Sequence, residues 1–316
     1  MRSFTIREND AGQRMDKFIT KAVPLLPKSL MYKYLRLKRI KLNGKRCEIS
    51  TRLTAGDVVE MYIGDEFFDT APEESFRFAG PMVPIVYEDE HLLLVNKPAG
   101  LVVHEDESQT PDTLIGRILR YLAEKGEYDP ATEQSFTPSL CNRIDRNTSG
   151  LVICAKTAAA LRVMNEKIKL RQIDKRYRCL VHGTPKPAEG RIELFMRKRS
   201  DENRIEVFHH PVPDGRTMIT EYKVLDSNGR YSLLEVHLIT GRTHQIRATM
   251  AEIGHPLVGE GKYSSMKNDL GFRFQALCAW SLTFRFEGDS APLDYLNGRT
   301  FTVGEDPFAR YLRDRK

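Results

Sequence analysis

The chain has 316 residues, 41% of them hydrophobic, enough for a sizeable core. It has no run of about 18 apolar residues, which excludes a membrane-spanning helix, and its first residues, Met1-Arg2-Ser3-Phe4-Thr5-Ile6-Arg7-Glu8, lack the apolar stretch of a secretory leader, so a cytoplasmic protein is expected. The net charge of +6 is unevenly placed: residues 1–64 carry 14 Lys and Arg against 6 Asp and Glu, a net of +8, which leaves the remainder at −2. A small basic module joined to a near-neutral body suits a phosphate backbone, whose attraction scales with the cations presented. The alternative is a solvated helical face.

In chain order, Arg14 to Val23 reads as a short helix with Met15, Phe18, Ile19 and Val23 on one side. Pro27-Lys28-Ser29 opens a second, with Leu30, Tyr34 and Leu37 at helical spacing and Lys28, Tyr32, Lys33, Arg36 and Arg39 outward. Asn43-Gly44 between Ile40-Lys41-Leu42 and Lys45-Arg46-Cys47 is a hairpin signal, because that pair accepts the positive φ of a tight turn. Gly56-Asp57 turns into a strand from Val58 to Ile63. Residues 1–64 therefore form one module, and the acidic, proline-containing segment 65–80 reads as a linker that leaves it mobile against the body, residues 81–316.

In the body, strands are predicted from Leu92 to Val95, Leu151 to Ala155, Tyr177 to His182, Ile205 to His209, Glu221 to Leu225 and Leu233 to Ile239. Helices are predicted from Asp112 to Lys125 and Thr157 to Arg171. Their irregular interleaving indicates an α+β fold rather than a doubly wound sheet. Cys47, Cys141, Cys154, Cys179 and Cys278 are scattered singly, so neither a zinc site nor a disulfide framework is expected. Neither a dinucleotide loop nor a phosphate loop of the P-loop type occurs, so no nucleotide cofactor is expected.

The run Asn142-Arg143-Ile144-Asp145-Arg146-Asn147-Thr148-Ser149-Gly150 places one carboxylate between two guanidinium groups just before a buried strand. Flanking cations favour the ionised form, which can act as nucleophile or base. From local charge alone, an Asp beside Arg is more often a surface ion pair. The run resembles the catalytic loop of the RluA family of pseudouridine synthases, usually His-Arg-Leu-Asp-Arg-Asp-Thr-Ser-Gly, with Asn142, Ile144 and Asn147 as departures. Three further segments resemble the family in the right order: Tyr87-Glu88-Asp89-Glu90 with Leu92 to Gly100, Lys175-Arg176-Tyr177, and Thr240-Gly241-Arg242-Thr243-His244-Gln245-Ile246-Arg247 followed by Gly254 to Gly259. Together they cover about residues 83 to 286. Glu260-Gly261 stands where the family commonly has Asp after Gly.

The resemblance implies isomerisation of uridine to pseudouridine within RNA, with no cofactor and no metal, on a mostly antiparallel bent mixed sheet crossed by an active-site cleft. The order of elements in residues 1–64 resembles the ribosomal-protein-S-four type of RNA-binding module, a small α/β unit that often precedes this domain. Its expected RNA surface is Lys28, Lys33, Arg36, Lys38, Arg39, Lys41 and Arg46, and in the body Arg146 and Arg242 are expected to contact RNA. The resemblance makes Asp145 the catalytic carboxylate, acting at the ribose by covalent attack or by proton abstraction. It has Arg143 brace the flipped nucleotide, Tyr177 stack on the uracil, and Arg247 pair with Asp145. His244 is not expected to act as base or ligand, since no second ligand stands at metal spacing and nearby cations disfavour its protonation. Lys97-Pro98 is expected to fix a strand exit, and Lys262-Tyr263 to close the cleft wall. The attached module points to large-subunit ribosomal RNA as substrate, with transfer RNA as the alternative; no membrane and no obligate protein partner are expected. Two other classes compete. One is a silent RNA-binding or assembly factor, which has little need of Asp145, Tyr177 and Arg247 together. The other is a glycosidase-type hydrolase, which usually needs a second carboxylate.

Overall fold

The computed structural model describes residues 1–69, 75–104, 112–198 and 205–313. The first unit consists of β1 (Arg2–Thr5), α1 (Met15–Ala22), α2 (Lys28–Arg36), β2 (Ile40–Leu42), β3 (Lys45–Arg46) and β4 (Val58–Met61). Its four strands form a sheet in the order β1-β4-β2-β3. Its own core gathers Met15, Phe18, Ile19, Met31, Leu35, Ile40 and Val59. Asn43 and Gly44 both take positive φ, 51° and 74°, which gives the hairpin the turn the sequence predicts. In α2 the buried residues are Met31 and Leu35, while Leu37 is 56% exposed. The predicted stripe is thus rotated, because Leu37 lies just past the last helical residue and no longer shares the helix face.

The body consists of β5 (Ile85–Glu88), β6 (Leu92–Lys97), α3 (Leu114–Glu124), β7 (Ser139–Leu140), β8 (Ser149–Ala155), α4 (Ala158–Lys169), β9 (Ile173–His182), β10 (Glu189–Lys198), β11 (Ile205–Phe208), β12 (Arg216–Ser227), β13 (Tyr231–Leu238), α5 (Gln245–Glu252), β14 (Leu277–Phe284), β15 (Thr300–Thr302) and α6 (Arg310–Arg313). Its eleven strands run β11-β10-β12-β13-β9-β14-β8-β6-β5, with β15 on β14 and β7 on β8. This is the mostly antiparallel α+β architecture expected from the sequence. The helices begin where capping side chains allow: Thr113 accepts from the Gly116 N–H at 3.0 Å, and Thr157 from the Ala160 N–H at 3.2 Å.

The alternation of β8 divides the core. Leu151, Ile153 and Ala155 pack with Ala160 and Met164 of α4, while Val152 and Cys154 pack with Leu114, Ile118 and Leu122 of α3. On the other half of the sheet, Ile246 and Met250 of α5 cover Cys179, Val181, Leu234 and Val236. The halves meet where β8 runs parallel to β14, pairing Ser149 with Cys278 and Gly150 with Ala279. Gly150 has φ 113°, and a Cβ there would lie 2.3 Å from the Ala279 carbonyl oxygen. Only glycine permits that approach.

The segment between the units is anchored at both ends. Phe68 is buried in the first core and Phe76 in the body. The first unit also bonds directly to the body, contrary to the mobility expected of it. Arg7 donates to the Thr132 carbonyl at 2.8 Å, Gln134 to the Thr5 carbonyl at 2.8 Å, and Arg162 of α4 to the Ala11 carbonyl at 3.1 Å. The linker reading rested on composition, which does not register these long-range polar contacts.

Gly150→Ala is expected to cost about 3 kcal/mol, combining overpacking with the positive φ. Urea unfolding measures it; a loss below about 1 kcal/mol would contradict the close approach.

Candidate active site

Asp145 sits in the loop between β7 and β8, and that loop is fastened from three sides. The Thr148 N–H donates to the Asp145 carbonyl at 3.0 Å, closing a turn on the carboxylate's own residue. Asn142, one of the departures from the family pattern, accepts from the Ile153 N–H at 2.8 Å, so its amide ties the loop to β8. Lys97, at the end of β6 and fully buried, donates to the carbonyls of Pro98 at 3.0 Å, Leu101 at 2.8 Å and Arg146 at 2.8 Å. Three acceptors match the three N–H bonds of an ammonium. Burial pushes the Lys97 ammonium down to about 7, with the Asp145 charge pulling the other way. Lys97 thus holds the loop itself, beyond the strand-exit role expected of Lys97-Pro98.

The opposite wall comes from β9 and α5. Tyr177 lies midway along β9, in register with Val236 of β13 and Ala279 of β14. Burial, and then the Asp145 carboxylate, pushes its phenol up to about 12, so it is a neutral hydroxyl at pH 7. Arg247 of α5 is buried, and its Nη1 lies 3.8 Å from Asp145 Oδ2. That is a distant ion pair. The close partner of Arg247 is Glu260, which accepts from its Nε and Nη2 at 2.7 Å each. Glu260 Oε1 also accepts the Lys262 N–H at 2.8 Å and the Tyr263 N–H at 3.2 Å. Burial opposes both charges, and the paired hydrogen bonds more than offset it, raising the pKa of Arg247 and lowering that of Glu260. The expected pairing of Arg247 with Asp145 is therefore the weaker of two, and the sequence reading missed the stronger.

His244 stands at the entrance to α5 with φ 54°. Its Nδ1 lies 2.7 Å from the Tyr263 hydroxyl and its Nε2 3.9 Å from Asp145 Oδ2. Burial lowers its pKa against the pull of Asp145, which favours the neutral ring. Gln245 organises the turn before the helix. It accepts from the Arg242 N–H at 3.0 Å and the Thr240 hydroxyl at 2.9 Å, and donates to the Ile219 carbonyl and the Thr220 hydroxyl at 3.0 Å each. A buried glutamine with every polar atom engaged fixes the orientation of the whole motif.

These walls enclose a cleft of about 1000 Å³, lined among others by Arg143, Asp145, Tyr177, Arg242, His244 and Arg247. Arg143 is exposed on its rim. Arg242 reaches the Thr217 carbonyl at 3.2 Å, whereas Arg146 turns away to the Gly100 carbonyl at 3.2 Å. The cations of the first unit lie elsewhere: Lys28, Lys33, Arg36, Lys38, Arg39 and Arg46 are exposed, and Lys41 is half-buried, its ammonium 5.1 Å from the Tyr62 ring centre. Among the described residues no group of three or more His, Cys, Asp or Glu side chains is placed to hold a metal ion, and all five cysteines are free thiols.

Glu260→Gln is expected to cost about 3 kcal/mol of stability, because it strands a buried guanidinium. Adding Arg247→Met should recover part of that loss, which a double-mutant cycle in urea measures. Additive losses would contradict the pairing.

Residues 91–252, just over half of the chain, match the RNA pseudouridylate synthase family. An uncharacterized RNA pseudouridine synthase of Mycoplasma genitalium is 32% identical over 89% of this chain and 88% of its own length. The ribosomal large subunit pseudouridine synthase D of Yersinia pestis is 31% identical over 83% of this chain and 76% of its own. Human RNA Pseudouridylate Synthase Domain Containing 4 shares the fold, with a TM-score of 0.54 over 71% of this chain and 89% of that one at 23% identity. With the motif order and the mostly antiparallel sheet, these similarities establish that the chain is an RNA pseudouridine synthase of the RluA family.

Proposed function

We propose that the chain isomerises specific uridines in large-subunit ribosomal RNA, with Asp145 as the carboxylate that acts at the ribose. The observation that carries this reading is the convergence of Asp145, Tyr177 and Arg247 on one cleft. In the reaction the N1–C1′ bond breaks, the uracil turns, a C5–C1′ bond forms, C5 gives up its proton and N1 takes one up. One proton lost and one gained leave substrate and product isomers of equal charge, so no cofactor is needed.

The target base must leave its stack, at a cost of a few kcal/mol, and be held by stacking and edge contacts. Arg143, exposed at the rim, braces the flipped nucleotide. Tyr177, neutral at pH 7, stacks on the detached uracil and relays the C5 proton. Arg247, anchored by Glu260, presents one remaining nitrogen to Asp145 and keeps that carboxylate oriented without masking it in a close pair. Arg242 contacts the RNA within the cleft, and Arg146, exposed and directed away from the cleft, meets it beyond the rim. The first unit acts as the S-four-type RNA-binding module, with Lys28, Lys33, Arg36, Lys38, Arg39, Lys41 and Arg46 toward phosphates. The ribosomal substrate is favoured by the names of relatives such as synthase D of Yersinia pestis. A ribosomal RNA substrate fits an enzyme of the cytoplasm. No described helix is long and apolar enough to cross a membrane.

Purified protein incubated with large-subunit ribosomal RNA, without added cofactor, is expected to form pseudouridine at discrete positions detected by carbodiimide mapping and mass spectrometry. Modification of transfer RNA alone would replace the ribosomal assignment, and modification of neither, in free RNA or in partly assembled particles, would favour the silent binding factor.

A further inference from the structure

One end of the cleft carries cations that the reaction does not use. Lys169 ends α4, Arg171 occupies the turn into β9, and Lys175 lies on β9 two residues before Tyr177; all three line the cleft. Side chains two apart on a strand share a face, so Lys175 and Tyr177 point to the same side. Lys169 and Arg171 are exposed, and Lys175 is half-buried. Burial lowers the pKa of Lys175, with Cys141 pulling the other way.

The neighbouring charges make the contrast informative. Asp174 takes Arg176 at 3.2 Å, His237 at 3.1 Å and Arg285 at 3.7 Å, so those groups already face a carboxylate. Lys169, Arg171 and Lys175 appear in no ion pair among the described residues. Lys175 lies two residues from Tyr177, about 7 Å along the strand, and Arg171 and Lys169 precede the strand, farther from Tyr177 along the chain. Helix-end lysines complement the helix dipole, which accounts for Lys169 in part. It accounts for neither Arg171, held at φ 59° in the turn, nor Lys175, drawn into the wall of the cleft.

We infer that Lys175, Arg171 and Lys169 form a phosphate track that receives the RNA strand flanking the target uridine as it leaves the cleft over the turn between α4 and β9. The inference rests on the reading of the cleft as the RNA site and adds the strand's exit path. The track supplies charge to the backbone and no contact to the base, so it acts on binding and not on the chemical step.

Lys169→Gln/Arg171→Gln tests it, because both side chains are exposed and their loss leaves the core intact. The comparison is Lys186→Gln/Lys223→Gln, which removes the same charge from exposed positions outside the cleft. With an RNA that the wild type modifies, the track variant should raise KM roughly tenfold with kcat within about twofold. The slope of log kcat/KM against log salt should become shallower by about 1.4, two single-strand phosphates' worth. The comparison variant should move neither. A track variant that behaves like the comparison variant overturns the inference. If the wild type modifies no RNA, the isomerase reading fails separately, and filter binding of the same proteins to the same RNA across salt still decides the track by the same slope.

Discussion

The parallel junction of β8 and β14 at Gly150 is the constraint on which the rest of the molecule depends. It joins a half-sheet covered by α3 and α4 to one covered by α5, and the Asp145 loop enters β8 at that point. Asp145 comes from the first half, and Tyr177, His244 and Arg247 from the second. The cleft exists because the backbones approach closely enough for the two sets to face one another. A side chain at position 150 would push Ala279 away and open the gap between Asp145 and the groups of the second half.

Electrostatics then decides what the cleft can do. A buried guanidinium is costly unless it is paired, and Glu260 meets that need within the second half. Arg247 is therefore in place before any substrate arrives, with a single nitrogen left toward Asp145. Lys97 performs a comparable task below the loop, spending its three donors on carbonyls that include that of Arg146. Both set the position of Asp145, which is the preorganisation that the proposed step at the ribose calls for.

Much of this was legible in the sequence, for identifiable reasons. Local periodicity marked α1, α3 and α4, and Asn43-Gly44 marked the hairpin, because each depends on near neighbours alone. The motif runs marked Asp145, Tyr177 and Arg247, since a loop that must hold a carboxylate between fixed strands leaves little freedom in its residues. The Glu260 partnership was not legible: thirteen residues separate it from Arg247, and only the fold brings them together. Its departure from the family's Asp was the available signal. The bracing roles of Gln245 and Lys97 were hidden because their hydrogen bonds go to backbone groups and hydroxyls, which no side-chain pattern announces. Leu37 misled because helical spacing continues in the sequence after the helix itself has ended.

The central claim is that the Asp145 carboxylate, oriented from both halves of the sheet, carries out the step at the ribose. Release of tritium from C5 of uridine in a modified RNA, measured in single turnover alongside RNA binding, tests it most directly. Asp145→Asn should bind the RNA within about threefold of wild type and release no tritium, the signature of a lost chemical step with binding retained. Release by Asp145→Asn at a rate within about tenfold of wild type would contradict the claim and assign the chemistry to another group in the cleft.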